Sequence, residues 1–384
     1  MTSDYKRLGN YIRLVNNRNI DLQASELLGI NIDKFFMPSV ANIVGTDLRN
    51  YKLVKKGQFA CNRMHVGRDL RIPIALSREE KSFIVSPAYE VFEIIDSNVL
   101  NEEYLMMWFS RREFDRNAWF YTDADVRGGL PWKSFCNIKI PVPSLEKQQE
   151  IVIEYNIILN RIKIHEALIQ KLEETAQALY KNWFVDFEFP DENGKPYKSS
   201  GGEMVWNEGL GKEIPEGWEV DKIGGLFTLQ RGHDLPTQNR INGEFPVFAS
   251  TGFADFHNDY KIDQPTIITG RSGSLGELFY YDNPCWPLNT TLYIRKFLKA
   301  TPFFSFYFLQ TINLKELGSG SAVPTLNRND IHALPKEFPK RSVMELFDKR
   351  ASLIKSYIKS RELQIKKSEE LKKILLSRLA IIKN

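Results

Sequence analysis

The sequence predicts an α+β protein in which two mixed α/β domains alternate with two long helices, related by a pseudo-twofold repeat. Three observations carry that prediction. The 384 residues exceed what one hydrophobic core usually organises. Two stretches keep apolar residues at alternating spacings of three and four, the signature of a helix that covers itself with a partner helix. The segments ahead of those two stretches also resemble each other. With 42% hydrophobic, 26% charged and 12% aromatic residues, the composition excludes a fibrous or disordered chain.

The first mixed domain spans residues 1–142 and the first long helix 143–186. Its seam is Ile151, Tyr155, Ile158, Ile162, His165, Ile169, Leu172, Ala176, Leu179 and Trp183, with Glu154, Arg161, Lys163, Glu166 and Lys171 among the polar positions between. The prolines at 141 and 143 place the helix start near Lys147, and Pro190 places its end by Phe187. About 35 residues at 1.5 Å each make a rod of roughly 50 Å. His165 falls on the seam and is read as a packed interhelix histidine. Residues 187–217 hold Pro190, Asn193-Gly194, Ser199-Ser-Gly-Gly202 and Pro215, the composition of a loop or linker.

The second mixed domain spans 218–338, and the second helix 339–384. Both domains carry short β-rich runs, such as Phe83-Ile-Val-Ser86, Pro246-Val-Phe-Ala249, Thr266-Ile-Ile-Thr269 and Thr291-Leu-Tyr-Ile294. The aromatic run of Phe303, Phe304, Phe306, Tyr307 and Phe308 reads as core. The second helix keeps Phe347, Ala351, Ile354, Ile358, Ile365, Leu375 and Leu379 in a stripe, while Arg361, Ser368 and Lys372 interrupt it and suggest a shift of register. Two striped helices in one chain most simply cover each other, and periodicity alone leaves parallel and antiparallel packing open.

The repeat is visible at three places. Tyr51-Lys-Leu-Val parallels Tyr260-Lys-Ile-Asp at an offset of 209, Tyr104-Leu-Met-Met-Trp-Phe109 parallels Phe303-Phe-Ser-Phe-Tyr-Phe308 at 199, and Leu130-Pro131 with Ile138 parallels Val323-Pro324 with Ile331 at 193.

No catalytic constellation is legible. There is no Gly-x-x-x-x-Gly-Lys-Ser/Thr phosphate loop and no Gly-x-Ser-x-Gly elbow. Asp282-Asn-Pro-Cys-Trp286 lacks the second proline of a base-holding methyltransferase loop and reads as a turn. Cys61-x-x-x-His65 has no second pair at ligand spacing, so neither a metal nor any other cofactor is expected. Three scattered cysteines fit a reducing cytoplasm. The most apolar uncharged stretch, residues 300–314, is too short for a membrane span, and the polar residues 1–19 do not read as a signal peptide.

What remains is a set of polar and basic residues in two loops that follow repeat-equivalent strands. Gly270-Arg-Ser-Gly-Ser-Leu-Gly276 offers Arg271, Ser272 and Ser274, and Cys61-Asn-Arg-Met-His-Val-Gly-Arg68 offers Asn62, Arg63, His65 and Arg68. Hydroxyl and backbone donors suit phosphate, and arginine suits a guanine edge. Arg231 and Arg328 join them as DNA-contact candidates, with Arg111, Arg112, Arg116, Arg127 and Arg240 as weaker ones.

This arrangement resembles the DNA specificity subunit of type I restriction-modification enzymes over nearly the whole chain. The resemblance rests on Ile140-Pro-Val-Pro-Ser-Leu-Glu-Lys-Gln-Gln-Glu-Ile151, on Leu172-Glu-Glu-Thr-Ala-Gln-Ala-Leu-Tyr-Lys-Asn-Trp-Phe-Val-Asp-Phe187, on Gly211-Lys-Glu-Ile-Pro-Glu-Gly-Trp218 and on Leu371-Lys-Lys-Ile-Leu-Leu-Ser-Arg-Leu379. Lys147-Gln148 stands where the family has Glu-Gln, and Pro335-Lys-Glu-Phe-Pro-Lys340 lacks the helix-entry motif. The resemblance implies a non-catalytic reader with two target-recognition domains, each binding one half of a bipartite, asymmetric site in double-stranded DNA. The long helices, expected as an antiparallel coiled coil, would fix the spacer and dock two methyltransferase subunits, which a restriction and motor subunit would complete. An autonomous methyltransferase or nuclease, and a scaffold that never touches DNA, are the alternatives.

Charge refines this expectation. Residues 339–384 carry thirteen Lys or Arg against five Asp or Glu, whereas the rest of the chain carries 39 against 43. The domains that would read DNA therefore have no basic excess, which predicts weak binding by the chain alone and tight binding once partners enclose the duplex.

Overall fold

A computed structural model describes residues 5–41, 45–123, 128–320 and 324–381. The chain divides into two compact units, residues 1–165 with 363–384, and residues 166–362. Both divisions fall inside long helices, the first Leu145–Phe184 and the second Arg341–Arg378.

In the first unit, four antiparallel strands form the main sheet: β1 (Ile12–Val15), β2 (Phe59–Cys61), β3 (Ile74–Leu76) and β4 (Glu90–Ile94), in the order β1-β4-β2-β3. Apolar side chains of these strands, Ile12, Phe59, Ile74 and Phe92, share one core with the helix Glu102–Phe109 and with Phe135. Phe59 and Phe92 stack at 5.1 Å between centroids, and Phe109 meets both edge-on. The strand Tyr5–Arg7 pairs with Lys139–Pro141 just ahead of the first long helix. That helix contributes Ile151, Val152 and Tyr155 to the same core, the end of the second long helix contributes Leu375 and Leu376, and the turn after it contributes Leu379.

The second unit repeats the construction. Strands β5 (Phe227–Arg231), β6 (Thr266–Gly270), β7 (Leu278–Tyr281) and β8 (Thr291–Phe297) form an antiparallel sheet in the order β5-β8-β6-β7. The helix Pro302–Gln310 buries Phe304 and Phe308 against it, as expected of the aromatic run. Tyr180, Trp183 and Phe184 of the first long helix meet Met344, Phe347 and Ala351 of the second within this core. Asp348 fastens the join: its carboxylate accepts hydrogen bonds from the Thr301 hydroxyl (2.7 Å) and from the amides of Phe303 (3.0 Å) and Phe304 (2.9 Å), capping the helix N-terminus from outside.

The first long helix has 40 residues and is about 60 Å long. It starts at Leu145 rather than near Lys147, because Ser144 provides a cap: its hydroxyl accepts from the Lys147 amide, at 3.4 Å, and its carbonyl from the Gln148 amide. Gln148, fully buried, donates to the carbonyls of Val99 and Pro143 and accepts from the Asn101 amide, which ties the helix start to the loop ahead of Glu102–Phe109. The helix ends at Phe184, and Phe187 takes a left-handed φ of 62° that turns the chain away.

Three expectations need correction. Residues 187–217 are not a bare linker: Met204–Asn207 and Lys212–Pro215 form a hairpin, and Phe187, Phe189 and Trp218 pack together. Glycine and proline there mark tight turns inside a packed segment. The second long helix does not shift register at Arg361, Ser368 and Lys372. Those positions follow Ile358 at the same alternating spacing, with Ser368 buried and the other two half-buried, so polar residues occupy the stripe itself. Finally, the repeat offset near residue 138 is 196 rather than 193. The Leu8 amide donates to the Ile138 carbonyl and the Ile223 amide to the Leu334 carbonyl, which makes Leu334 the counterpart of Ile138. Similar residue types let the comparison slip; the hydrogen bonds fix it.

Candidate nucleic-acid interface

The two candidate loops leave their sheets at the same point. Leu14 of β1 faces Phe92, and Leu229 of β5 faces Ile294. Counting along the partner strands makes Glu90 and Leu292 counterparts, as are Cys61 and Thr269, which pair with them. Two residues on, Arg63 and Arg271 therefore hold one position, at an offset of 208 rather than 209. An independent contact agrees: the Arg63 carbonyl accepts from the Leu130 amide (2.9 Å), and the Arg271 carbonyl from the Leu326 amide (2.8 Å).

In the first unit the loop after β2 is laced to residues 128–130. The Gly67 amide donates to the Gly128 carbonyl at 2.8 Å, and the two backbones lie so close that a Cβ on either would sit 2.6–2.7 Å from the other's Cα. Asn62 shapes the turn, its side-chain oxygen accepting from the Met64 amide. His65 is half-buried ahead of the short helix Val66–Asp69. Arg68 is exposed and forks onto the Asp69 carboxylate (2.7 and 3.1 Å), and that hydrogen bond holds Asp69 below the usual carboxylate range.

Arg63 is differently placed. Its guanidinium donates to Glu90 at 2.7 Å and to the Leu130 carbonyl, and lies 5.8 Å from the Trp132 ring. Glu90 also receives Lys52 at 3.0 Å. Burial would raise the Glu90 carboxyl, but hydrogen bonds and charge from Lys52 and Arg63 outweigh it and hold the group below its ordinary value. Beneath the loop, burial pushes the Cys61 thiol up to about 12.

In the second unit the loop after β6 folds back hard: a Cβ on Gly270 would stand 1.7 Å from the Ser274 carbonyl oxygen, so no side chain fits there. The amides of Arg271 and Ser272 both donate to the Thr290 carbonyl, the Gly232 amide to the Thr291 carbonyl, and Arg231 Nε to the Asn289 carbonyl at 3.3 Å. The turn 288–291 thereby gathers Arg231, Arg271 and Ser272. Ser272 also bridges Thr325, which leads to Arg328 at the exposed start of the helix Arg328–Ala333. Ser274 is exposed. Among the described residues, the guanidinium groups of Arg271 and Arg328 make no ion pair or side-chain hydrogen bond.

The weaker candidates separate. Arg111 is buried with its guanidinium 4.2 Å over Trp108, and Arg240 is mostly buried and paired with Asp255 at 3.3 Å, while Arg112 and Arg116 are exposed. Arg127 and Val323 lie outside the described residues. Sequence reasoning missed Glu90 and Lys52, the turn at 288–291, and the exposed Trp119, Phe120 and Tyr121, which the Asp123 amide connects to the Gly129 carbonyl. A half-buried glutamate opening the strand Glu90–Ile94 was the one available signal.

Along the first long helix, Ile151, Ile162 and His165 are buried, and Ile158, Ile169, Leu172 and Leu179 half-buried. On the second, Ile358 and Leu379 are buried, and Ile354, Ile365 and Leu375 half-buried; Leu379 lies in a final 3₁₀ turn. Arg161 donates to Gln364 at 2.8 Å within the first unit. On another side, Ile153, Ile157, Ile164 and Leu168 are exposed. Among the described residues no helix is long and apolar enough to cross a membrane.

Comparison with known proteins gives a consistent result. The model of the type I restriction modification DNA specificity domain matches residues 69–174 and 215–373. A type I restriction enzyme specificity subunit, MjaIX, from Methanocaldococcus jannaschii is 28% identical over 319 residues, covering 74% of this chain and 70% of that one. The HindI specificity subunit of Haemophilus influenzae is 25% identical over 160 residues, 41% of this chain and 34% of its own length. The fold is similar to the crystal structure of the S subunit of a type I restriction-modification system from M. genitalium, with a TM-score of 0.58 at 14% identity, covering 98% and 95% of the two chains. A chain from a structure of type I system assembly and conformational transition gives a TM-score of 0.51 at 14% identity, covering 98% and 97%.

Proposed function

Because this chain belongs to the type I restriction-modification DNA specificity family, we propose that it reads a bipartite, asymmetric site in double-stranded DNA, one half with each unit. The observation that carries this is the duplicated loop. Two units with one strand order each present polar and basic side chains from a backbone-laced loop after the third strand of the order, and the two loops differ in residue type. A reader of two unlike half-sites needs that combination: a common scaffold and divergent side chains.

Residues 1–142 and 218–338 act as the recognition domains, with Asn62, His65, Arg68, Arg231, Arg271, Ser272, Ser274 and Arg328 toward DNA. The long helices pack as an antiparallel coiled coil and set the unspecified spacer; the in-phase burial along both helices supports this. Pseudo-twofold symmetry is part of this reading, and the duplicated strand order within each unit supports it. The exposed apolar residues Ile153, Ile157 and Ile164 suit docking of methyltransferase subunits, two copies in the assembly, with a restriction and motor subunit added to them. The chain itself performs no catalysis and works in the cytoplasm.

Deletion of seven residues within 159–177 tests the spacer role. It keeps the seam in phase, shortens the helix by about 10 Å and should shorten the spacer by a few base pairs. Replacement of residues 1–142 by those of another family member should change one half-site only. An unchanged spacer, or a change in both half-sites, contradicts the reading.

A further inference from the structure

We propose that the two units read DNA with non-equivalent residues: Arg271 reads a guanine in the second unit's half-site, while Arg63, at the same position of the fold, is held inside its own unit and touches no base. This rests on the reading of the chain as a bipartite DNA reader and assigns one of its contacts.

The asymmetry comes from two substitutions between the repeats. In the first unit the strand position facing Cys61 is Glu90, which captures the Arg63 guanidinium at 2.7 Å with Lys52 on its other oxygen. In the second unit the corresponding residue is Leu292, buried and apolar, so no carboxylate is there to hold Arg271. The other wall differs as well. Trp132, which lies against Arg63, follows Leu130 by two residues, and the residue that follows Leu326 by two is Arg328. The box that closes around Arg63 is thus replaced by a leucine and a second cation.

Only the backbone of Arg271 is fixed, by the Thr290 and Leu326 hydrogen bonds, at the head of a loop that Gly270 forces into a tight return. A guanidinium held at its root and free at its fork is pre-organised for a bidentate acceptor. Of the base edges in the major groove, guanine O6 and N7 provide that pair. Arg328, with the same sign of charge and no ion pair among the described residues, suits the neighbouring phosphate. Arg63 has spent its fork in a largely buried pair, whereas the Arg68 side chain that forks onto Asp69 is 67% exposed and open to exchange for DNA, so the first half-site falls to Asn62, His65 and Arg68.

The test uses the full chain assembled with its methyltransferase subunits, with the methylated motif determined by sequencing modified DNA. Arg271→Ala should relax one G·C position in the half-site assigned to residues 218–338, with discrimination falling about 5- to 150-fold, and leave the other half-site unchanged. Arg63→Ala should relax no position in either half. If Arg271→Ala abolishes methylation, Arg271→Gln decides: the proposal expects methylation with guanine no longer required at that position, since an amide fork suits adenine. A motif that stays intact in the Arg271 variants overturns the proposal. So does uniform loss of affinity on all sequences with unchanged unfolding, the mark of a phosphate contact, or relaxation of a first-half base by Arg63→Ala. A wild-type complex that yields no two-part motif would instead overturn the function on which the inference rests.

Discussion

Glu90→Ala should cost the first unit heavily for the few atoms removed. The carboxylate lies between two cations, 2.7 Å from Arg63 and 3.0 Å from Lys52, whose side chains are 19% and 10% exposed. Removing it leaves both charges shielded from water without an anion. Breaking a buried pair by deleting one partner costs about 3–5 kcal/mol, and the quarter exposure of Glu90 places this case near the lower end, about 3 kcal/mol. In a unit of this size that shifts the melting temperature by about 6–12 °C. Arg63→Ala should cost less, because Glu90 keeps Lys52. Scanning calorimetry of the two variants, with hydrogen exchange on β2 and β4 to assign the transition to the first unit, measures both. Melting of Glu90→Ala within about 2 °C of the wild type, or a larger loss for Arg63→Ala, would refute the clamp.

Two further outcomes follow from the second unit. Asp348→Ala strips three hydrogen bonds from the start of the helix Pro302–Gln310 and should destabilise that unit by about 2–3 kcal/mol, with protection lost first at Phe303 and Phe304; Asp348→Asn should retain part of it. His332 accepts the Leu229 amide at 2.9 Å on Nε2, and burial together with the Arg328 charge holds its pKa below 6.5. A lowered native pKa means that the unfolded chain binds the proton more readily, so this contribution is complete above pH 6.5 and is lost as pH falls toward the native value. Unfolding compared at pH 7.5 and 5.5 should show a smaller acid loss in His332→Gln than in the wild type.

The long helices follow from residue spacing and the repeat from residue similarity, while the aromatic run was legible from its density as core but not as a helix. The limits of that reading were physical as well. Apolar runs such as Thr266–Gly270 do not reveal their register, so residue similarity places the repeat one residue off there and three off near Ile138, whereas the hydrogen bonds fix it. Ser368 looks like a break in a stripe because hydropathy counts side-chain type, whereas the fold buries the position regardless. At the candidate interface the loops could be found but not sorted. Arg63 and Arg271 look alike in sequence and differ through Glu90, Leu292, Trp132 and Arg328, which are remote along the chain and adjacent only in the fold.

The central claim is that this chain selects a two-part DNA site for its partners. The direct measurement is the methylated sequence found in a host that carries the gene, set against the same host without it. The account predicts a single motif of two unlike half-sites separated by a fixed unspecified spacer, present only with the gene. Methylation that is identical with and without the gene, or confined to one continuous site, would contradict it.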